Sequence, residues 1–247
     1  MTTPPGPGTP GPSTAMVLAA GLGTRMRPLT DRRPKALVEV AGRTLLDRTL
    51  DKLAAAGVRR AVVNVHHFAD QVEAHLAARK DLEILVSDER TALLDSGGGI
   101  QRARRLLGED PIFVANIDSL WLEEGAPALE SLKLAWDPAR MDLLLLLVAR
   151  GNGIGFEGPQ GFLRDAEGRL THSTDPDVVT PFANVGFGIL KPQILDGQGD
   201  GAFSIVPVWH ELQAKGRLHG APMQAFWMHV GDPAARDAAE ALLGEAS

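Results

Sequence analysis

Met16-Val-Leu-Ala-Ala-Gly-Leu-Gly-Thr-Arg-Met-Arg-Pro-Leu-Thr30, with Pro34-Lys35 just beyond it, decides how the chain is read. Residues 16–20 form a short run that is apolar on both faces and ends in glycine, the pattern of a central parallel strand. The turn that follows carries Arg25 and Arg27, and Lys35 stands ten residues after Arg25. Strand, glycine turn and spaced cations suit a loop wrapped around a polyphosphate. Gly21 and Gly23 permit positive φ and close backbone approach. Backbone N–H groups here can point at phosphate oxygens, which makes Ala20, Gly21, Gly23 and Thr24 binding candidates. Thr24 also offers a hydroxyl, and Arg25 and Lys35 bring the charge that a polyphosphate requires.

Two other glycine motifs are excluded. A dinucleotide fingerprint needs a third glycine where Met26 stands, which disfavours an NAD-dependent dehydrogenase. No G-x-x-x-x-G-K-[ST] run exists in the chain.

Outward from this loop, strand and helix patterns alternate. Apolar runs at 60–65, 83–87, 111–115 and 141–148 read as strands, and 35–40 as a short extended piece. Residues 45–56, 69–79, 99–107 and 128–135 have helical spacing, with Gly57 and Gly108 as stops. The implied fold is α/β: a Rossmann-like, mostly parallel, twisted sheet with helices on both faces. Ligands then sit beyond the carboxyl ends of the strands. That rule gathers the glycine loop, Asp118 and Ser96-Gly97-Gly98-Gly99 on one rim. From position 151 the segments shorten. A hairpin is expected around 165–168, a strand at 185–190, and a last helix at 233–243 with Asp232 as N-cap and Pro233 at its first position.

Composition narrows the field. The chain has 247 residues, 44% hydrophobic and 23% charged, and can bury one substantial core. A net charge of −6 argues against a nucleic-acid partner. The absence of cysteine excludes thiolate chemistry and fits a cytoplasmic location. No secretory signal is visible, and the apolar run at 143–148 is too short to span a bilayer. Residues 1–14, rich in Pro, Gly and Thr, read as a disordered tail before a single domain at 15–247.

The string G-x-G-T-R-x-x-P-L-T followed by P-K resembles the signature of the sugar-phosphate nucleotidyltransferases, and the likeness runs from Ala15 onward. Asn64-Val-His-His67, Leu94-Asp-Ser-Gly-Gly-Gly-Ile100 and Gly201-Ala-Phe-Ser204 are similar to the short, single-domain uridylyltransferases acting on N-acetylmuramate 1-phosphate. The resemblance implies a nucleotidyltransferase fold with no C-terminal β-helix. It divides the domain into a nucleotide-binding half (15–150), a sugar-binding half (151–231) and a C-terminal helix (232–247). It implies transfer of UMP from UTP to a sugar 1-phosphate with release of pyrophosphate, a Mg2+ or Mn2+ cofactor, and a cytoplasmic role in cell-wall peptidoglycan recycling. The partners are a nucleoside triphosphate and a sugar 1-phosphate, with no nucleic acid or membrane, on a monomer or small homo-oligomer. Guanylyl, thymidylyl or cytidylyl transfer to another sugar or polyol phosphate, such as mannose 1-phosphate, is the alternative within the class. A non-catalytic nucleotide-sugar sensor is the alternative outside it.

The resemblance also assigns roles. Arg25 and Lys35 hold the β- and γ-phosphates, and with Asp118 they are the catalytic candidates. Asp118 binds the metal. A second family carboxylate falls within Trp227-Met-His-Val-Gly231, where His229 replaces it. Either His229 still reaches the metal or a phosphate, or Asp118 with phosphates and water suffices, or turnover is impaired. The second ranks first because magnesium commonly keeps several waters. Ser96, Gly97 and Gly98 form the expected base-reading loop. Asn116, Asn184 and Gly186 are the sugar-binding candidates, with Val185 where some relatives carry a hydroxyl.

Overall fold

Thr14–Leu18 (β1) lies in the middle of the main sheet, where a strand apolar on both faces belongs. A computed structural model describes residues 11–158 and 160–245. After β1 come β2 (Glu39–Val40), β3 (Arg43–Thr44), α1 (Leu45–Ala55), β4 (Arg60–Val65), α2 (Ala69–Leu76), β5 (Glu83–Asp88) and α3 (Asp95–Leu107). Next are β6 (Ile112–Asn116), β7 (Ser119–Glu123), α4 (Ala128–Ala135), β8 (Leu143–Ala149), β9 (Gly153–Ile154), β10 (Gly161–Arg164), β11 (Leu170–Ser173) and β12 (Phe182–Leu190). The chain closes with α5 (Val206–Ala214), β13 (Leu218–Pro222), β14 (Ala225–His229) and α6 (Pro233–Glu245).

The strands β5, β4, β1 and β6 pair in parallel in that order. Antiparallel β12 lies beside β6, β8 beside β12, and β13 parallel beside β8. The β10–β11 hairpin joins the start of β12. The mostly parallel sheet is thus mixed where the second half of the chain enters it. A separate small sheet pairs β14 with β7 and β9.

Alternation along β1 fills both faces. Ala15 and Val17 pack with Leu46, Leu50 and Leu53 of α1 and with α2, α4 and α6. Met16 packs on the other side with Ile100, Ala103 and Leu107 of α3 and with α5. Thr44 caps α1, its hydroxyl accepting from Asp47 N–H at 3.0 Å. Asp232 Oδ1 does the same for Ala235 N–H at 2.8 Å, just ahead of Pro233. No described helix is long and apolar enough to cross a membrane.

Three local expectations need correction. Of the proline-rich tail, residues 1–10 lie outside the described residues. The Ser13 carbonyl already accepts from Arg59 and Arg60 N–H at 2.8 and 3.1 Å, so the sheet begins earlier than composition suggests. Residues 35–40 are not extended: Lys35–Leu37 is a 3-10 turn pinned by buried Ala36, and only Glu39–Val40 is strand. Ser96-Gly97-Gly98-Gly99 is not a loop but the first turn of α3. Packing overrides glycine's low helix propensity here. A Cβ at Gly98 would stand 2.2 Å from the Gly201 carbonyl oxygen, so only glycine lets that segment lie so close.

Candidate active site

The cationic loop is held from below. Asn64, buried in β4, accepts at Oδ1 from Ala19 N–H (2.7 Å) and Ala20 N–H (3.2 Å), fixing the backbone where β1 gives way to glycine. Gly23 has φ 65°. A Cβ there would stand 3.0 Å from both Lys35 Cβ and Thr30 Cγ2, and Thr30 donates its hydroxyl to the Gly23 carbonyl at 2.8 Å. The next turn, Thr24–Met26, is anchored by fully buried Met26, and Arg25 lines the cavity beside it.

The acidic side comes from the small sheet. β6 ends at Asn116, buried Ile117 follows, and Asp118 precedes β7. In the β7–β14 ladder Ser119 faces His229, and Val230 N–H donates to the Asp118 carbonyl at 2.8 Å. This pairing brings two residues far apart in the chain into contact. Lys35 Nζ donates to Asp118 Oδ2 at 2.7 Å, and His229 Nε2 stands 3.5 Å from the same oxygen. His229 Nδ1 is 2.9 Å from the Gly155 carbonyl, which can only accept, so Nδ1 carries a proton.

Electrostatics follow from this packing. Burial alone would raise the Asp118 pKa, but the His229 hydrogen bond and the charges of Lys35 and His229 hold it well below the usual carboxylate range. Burial opposes the charged form of His229, yet the bond to Asp118, its charge and the Gly155 carbonyl together raise the imidazole pKa. Lys35, Asp118 and His229 therefore form one electrostatically coupled cluster, in which the carboxylate accepts from Lys35 and favours the charged form of His229.

Two cavities meet here. The first, about 440 Å³, is lined by Ala20, Gly21, Gly23, Thr24, Arg25, Lys35, Ser96, Asn116 and Asp118. The second, about 360 Å³, shares Arg25, Asn116 and Asp118 with it and adds Asn184, Gly186 and His229. A register shift in β12 between Asn184 and Gly188 turns this stretch toward the cavity, as bulges beside sites do. Asn184 Oδ1 accepts from Gly186 N–H at 2.9 Å. Gly97 and Gly98 are not on either wall. They are buried, and both N–H groups donate to the Phe203 carbonyl, at 2.9 and 3.0 Å.

The sequence reading missed Asn64, Glu89 and Asp95. Glu89 lines the first cavity almost fully buried; its Oε1 accepts from Asn64 Nδ2 at 2.8 Å, and Oε2 makes no hydrogen bond of normal geometry among the described residues. Burial, against the Asn64 bond, pushes its pKa up. Asp95 lines the same cavity with φ 61°, a strained value for a non-glycine residue. A polar residue inside the apolar run 60–65 was the available signal for Asn64. Asp88, at the end of β5, pairs with Arg90 at 2.7 Å and does not line either cavity.

Among the described residues no three His, Cys, Asp or Glu side chains group as a metal site. The donors present are the Asp118 carboxylate and the His229 Nε2 edge facing it. One carboxylate beside a cavity for phosphate oxygens fits a magnesium ion completed by substrate and water.

A family model described as the MobA-like NTP transferase domain matches residues 15–147, and the chain belongs to that family, whose members transfer nucleotidyl groups. It is 53% identical to the N-acetylmuramate alpha-1-phosphate uridylyltransferase of Caulobacter vibrioides, over 95% of this chain and 98% of that protein. It is 32% identical to the enzyme of the same name from Neisseria meningitidis serogroup B, over 93% and 98%. Among solved structures, the inositol-1-phosphate CTP transferase from T. maritima superposes with TM-score 0.77 at 19% identity, covering 91% of each chain. The UTP-bound UGPase from Acinetobacter baumannii gives 0.76 at 15% identity, covering 96% and 94%. At such identities these two establish the fold.

Proposed function

We propose that the chain transfers UMP from UTP to N-acetylmuramate 1-phosphate and releases pyrophosphate. The observation that carries this reading is that Arg25, Lys35 and Asp118 line one cavity, joined through Asn116 to a second. The two relatives similar along nearly their whole length bear that activity in their names. In the reaction, a phosphate oxygen of the sugar 1-phosphate attacks the α-phosphorus, and the bond from that phosphorus to the oxygen shared with the β-phosphate breaks. The attacking oxygen is already anionic, so no general base is needed. Arg25 and Lys35 take up the charge that develops on the leaving pyrophosphate, and Asn116, Asn184 and Gly186 align the acceptor. Asp118, with His229 adjacent, would hold a divalent ion, Mg2+ or Mn2+, which supplies further charge neutralisation at the phosphates. The reaction belongs to peptidoglycan recycling in the cytoplasm, carried out by a monomer or small homo-oligomer.

Pyrophosphate release with UTP, GTP, dTTP and CTP against several sugar 1-phosphates tests the reading. UTP with N-acetylmuramate 1-phosphate should give the highest kcat/KM, and a preference for GTP with mannose 1-phosphate would overturn it. One observation favours a second reading, a nucleotide-sugar sensor: His229 occupies Asp118 where a metal would bind. Tight UTP binding without turnover under any divalent ion would decide for the sensor.

A further inference from the structure

The end of the sheet away from the phosphate cavity carries a second basic recess. β8 runs in the same direction as β6, so its amino end lies opposite the rim where Asn116 ends β6. The approaches to β8, β11 and β13 and the carboxyl end of α5 enclose a cavity of about 610 Å³. Arg140, Arg169, Lys215, Arg217 and His219 line it, and no carboxylate does.

These cations are unequally neutralised. Arg217 is committed to Asp142, with Nε at 3.0 Å and Nη2 at 2.8 Å from the two oxygens. Arg140 donates to the Glu167 carbonyl at 3.2 Å. Arg169 reaches Asp165 and Glu167 only at 3.6 and 3.9 Å. Lys215 is exposed and makes no ion pair among the described residues. The last carbonyls of α5 do not face the recess unpaired: those of Glu211, Leu212 and Gln213 accept from Lys215, Arg217 and Gly216 N–H.

A second observation is independent of the surface charge. His219 is 3% exposed, and its Nδ1 makes no hydrogen bond of normal geometry among the described residues. An unpaired buried polar atom at a cationic wall is costly unless something completes it. Burial first, then the charges of Arg140 and Arg169, push its pKa down, against an interaction with the Arg217 backbone and the charge of Asp165. The same cationic wall attracts an anion.

We propose that this recess binds a diphosphate group, either free pyrophosphate or the diphosphate of a nucleotide. Two guanidinium groups and an ammonium with only loose counter-charges match two linked phosphates, and the volume exceeds what one phosphate fills.

The test follows the His219 imidazole resonance by NMR in the full 15N-labelled chain, assigned with H219Q, as inorganic pyrophosphate or UDP is added. A saturable shift is expected with at least one of them. A response to pyrophosphate alone assigns the free anion, and one to UDP alone assigns the nucleotide. R140Q/R169Q should weaken the response by about tenfold or more while turnover is unchanged, since neither residue lies near Arg25, Lys35 or Asp118. No shift with either compound at millimolar concentration overturns the proposal, and so does an equal shift in R140Q/R169Q.

Discussion

Asp118→Asn keeps the shape of the side chain and removes its charge, so it isolates what the charge does. The carboxylate accepts from Lys35 at 2.7 Å and faces His229 at 3.5 Å, with side-chain exposures of 10%, 19% and 18% for Lys35, Asp118 and His229. At that separation and an effective dielectric near 20, the Lys35 pair alone attracts by roughly 6 kcal/mol before desolvation is subtracted. Removing one partner of a buried pair leaves an uncompensated cation and costs about 3–5 kcal/mol. The low end applies here, because the Lys35 and Asp118 side chains keep 10% and 19% exposure and water can reach the cation left behind. Urea denaturation should therefore show a loss near 3 kcal/mol. Turnover should suffer separately. With neither a metal carboxylate nor an anchor for Lys35, a fall of about 10²–10³ in kcat is expected, the size seen when one preorganised electrostatic group is lost. Pyrophosphate release, measured with magnesium at saturation on folded protein, separates the two effects. A variant as stable as the parent and turning over within a factor of about three would refute the reasoning, because neither the charge cluster nor the metal role could then be real.

The His229–Asp118 contact also predicts a pH dependence. The raised pKa of His229 means its contribution is fully present below the unfolded value near 6.5 and is lost as pH rises through the folded value. The lowered pKa of Asp118 means its contribution is present above its unfolded value of 3.8 and is lost as pH falls through the folded one. Urea midpoints should thus be highest between those limits, and H229Q should flatten the decline above pH 6.5 and shrink the acid limb to what the Lys35 pair sustains, because His229 also helps hold the Asp118 pKa down. Asn64→Ala removes three hydrogen bonds and strands two backbone N–H groups; a loss of roughly 3 kcal/mol or more is expected by chemical denaturation. Gly186→Ala forces φ 78° on alanine and puts a Cβ 2.6 Å from Asn116 Nδ2. It should cost about 1–2 kcal/mol for the conformation alone and raise the sugar-phosphate KM while sparing that for the triphosphate.

How much of this was legible in the sequence follows the range of the interactions. The strand–glycine loop–cation order is local, and it led to Arg25 and Lys35. The alternation of strands and helices led to the sheet, and the position of Asp118 after an apolar strand led to the rim. What was not legible depends on partners distant in the chain. Ser96-Gly97-Gly98-Gly99 reads as a loop on propensity, yet residues 201–203 pack it into a helix. Asn64 looks like one polar residue in a strand, and its two N–H acceptor bonds exist only because β4 lies beside β1. His229 could be aligned with a missing carboxylate, but its bond to the Gly155 carbonyl, and hence its proton, required the small sheet.

The Lys35–Asp118 bond has a further consequence for the order of events. Lys35, proposed to grip the triphosphate, is already held by Asp118, proposed to hold the metal ion, so on that reading a nucleotide arriving with its ion would have to part the two. Such a latch would slow and weaken arrival. It would help departure, because the lysine left behind by outgoing pyrophosphate would have its old anchor within reach, and the gap would close behind the product instead of inviting it back.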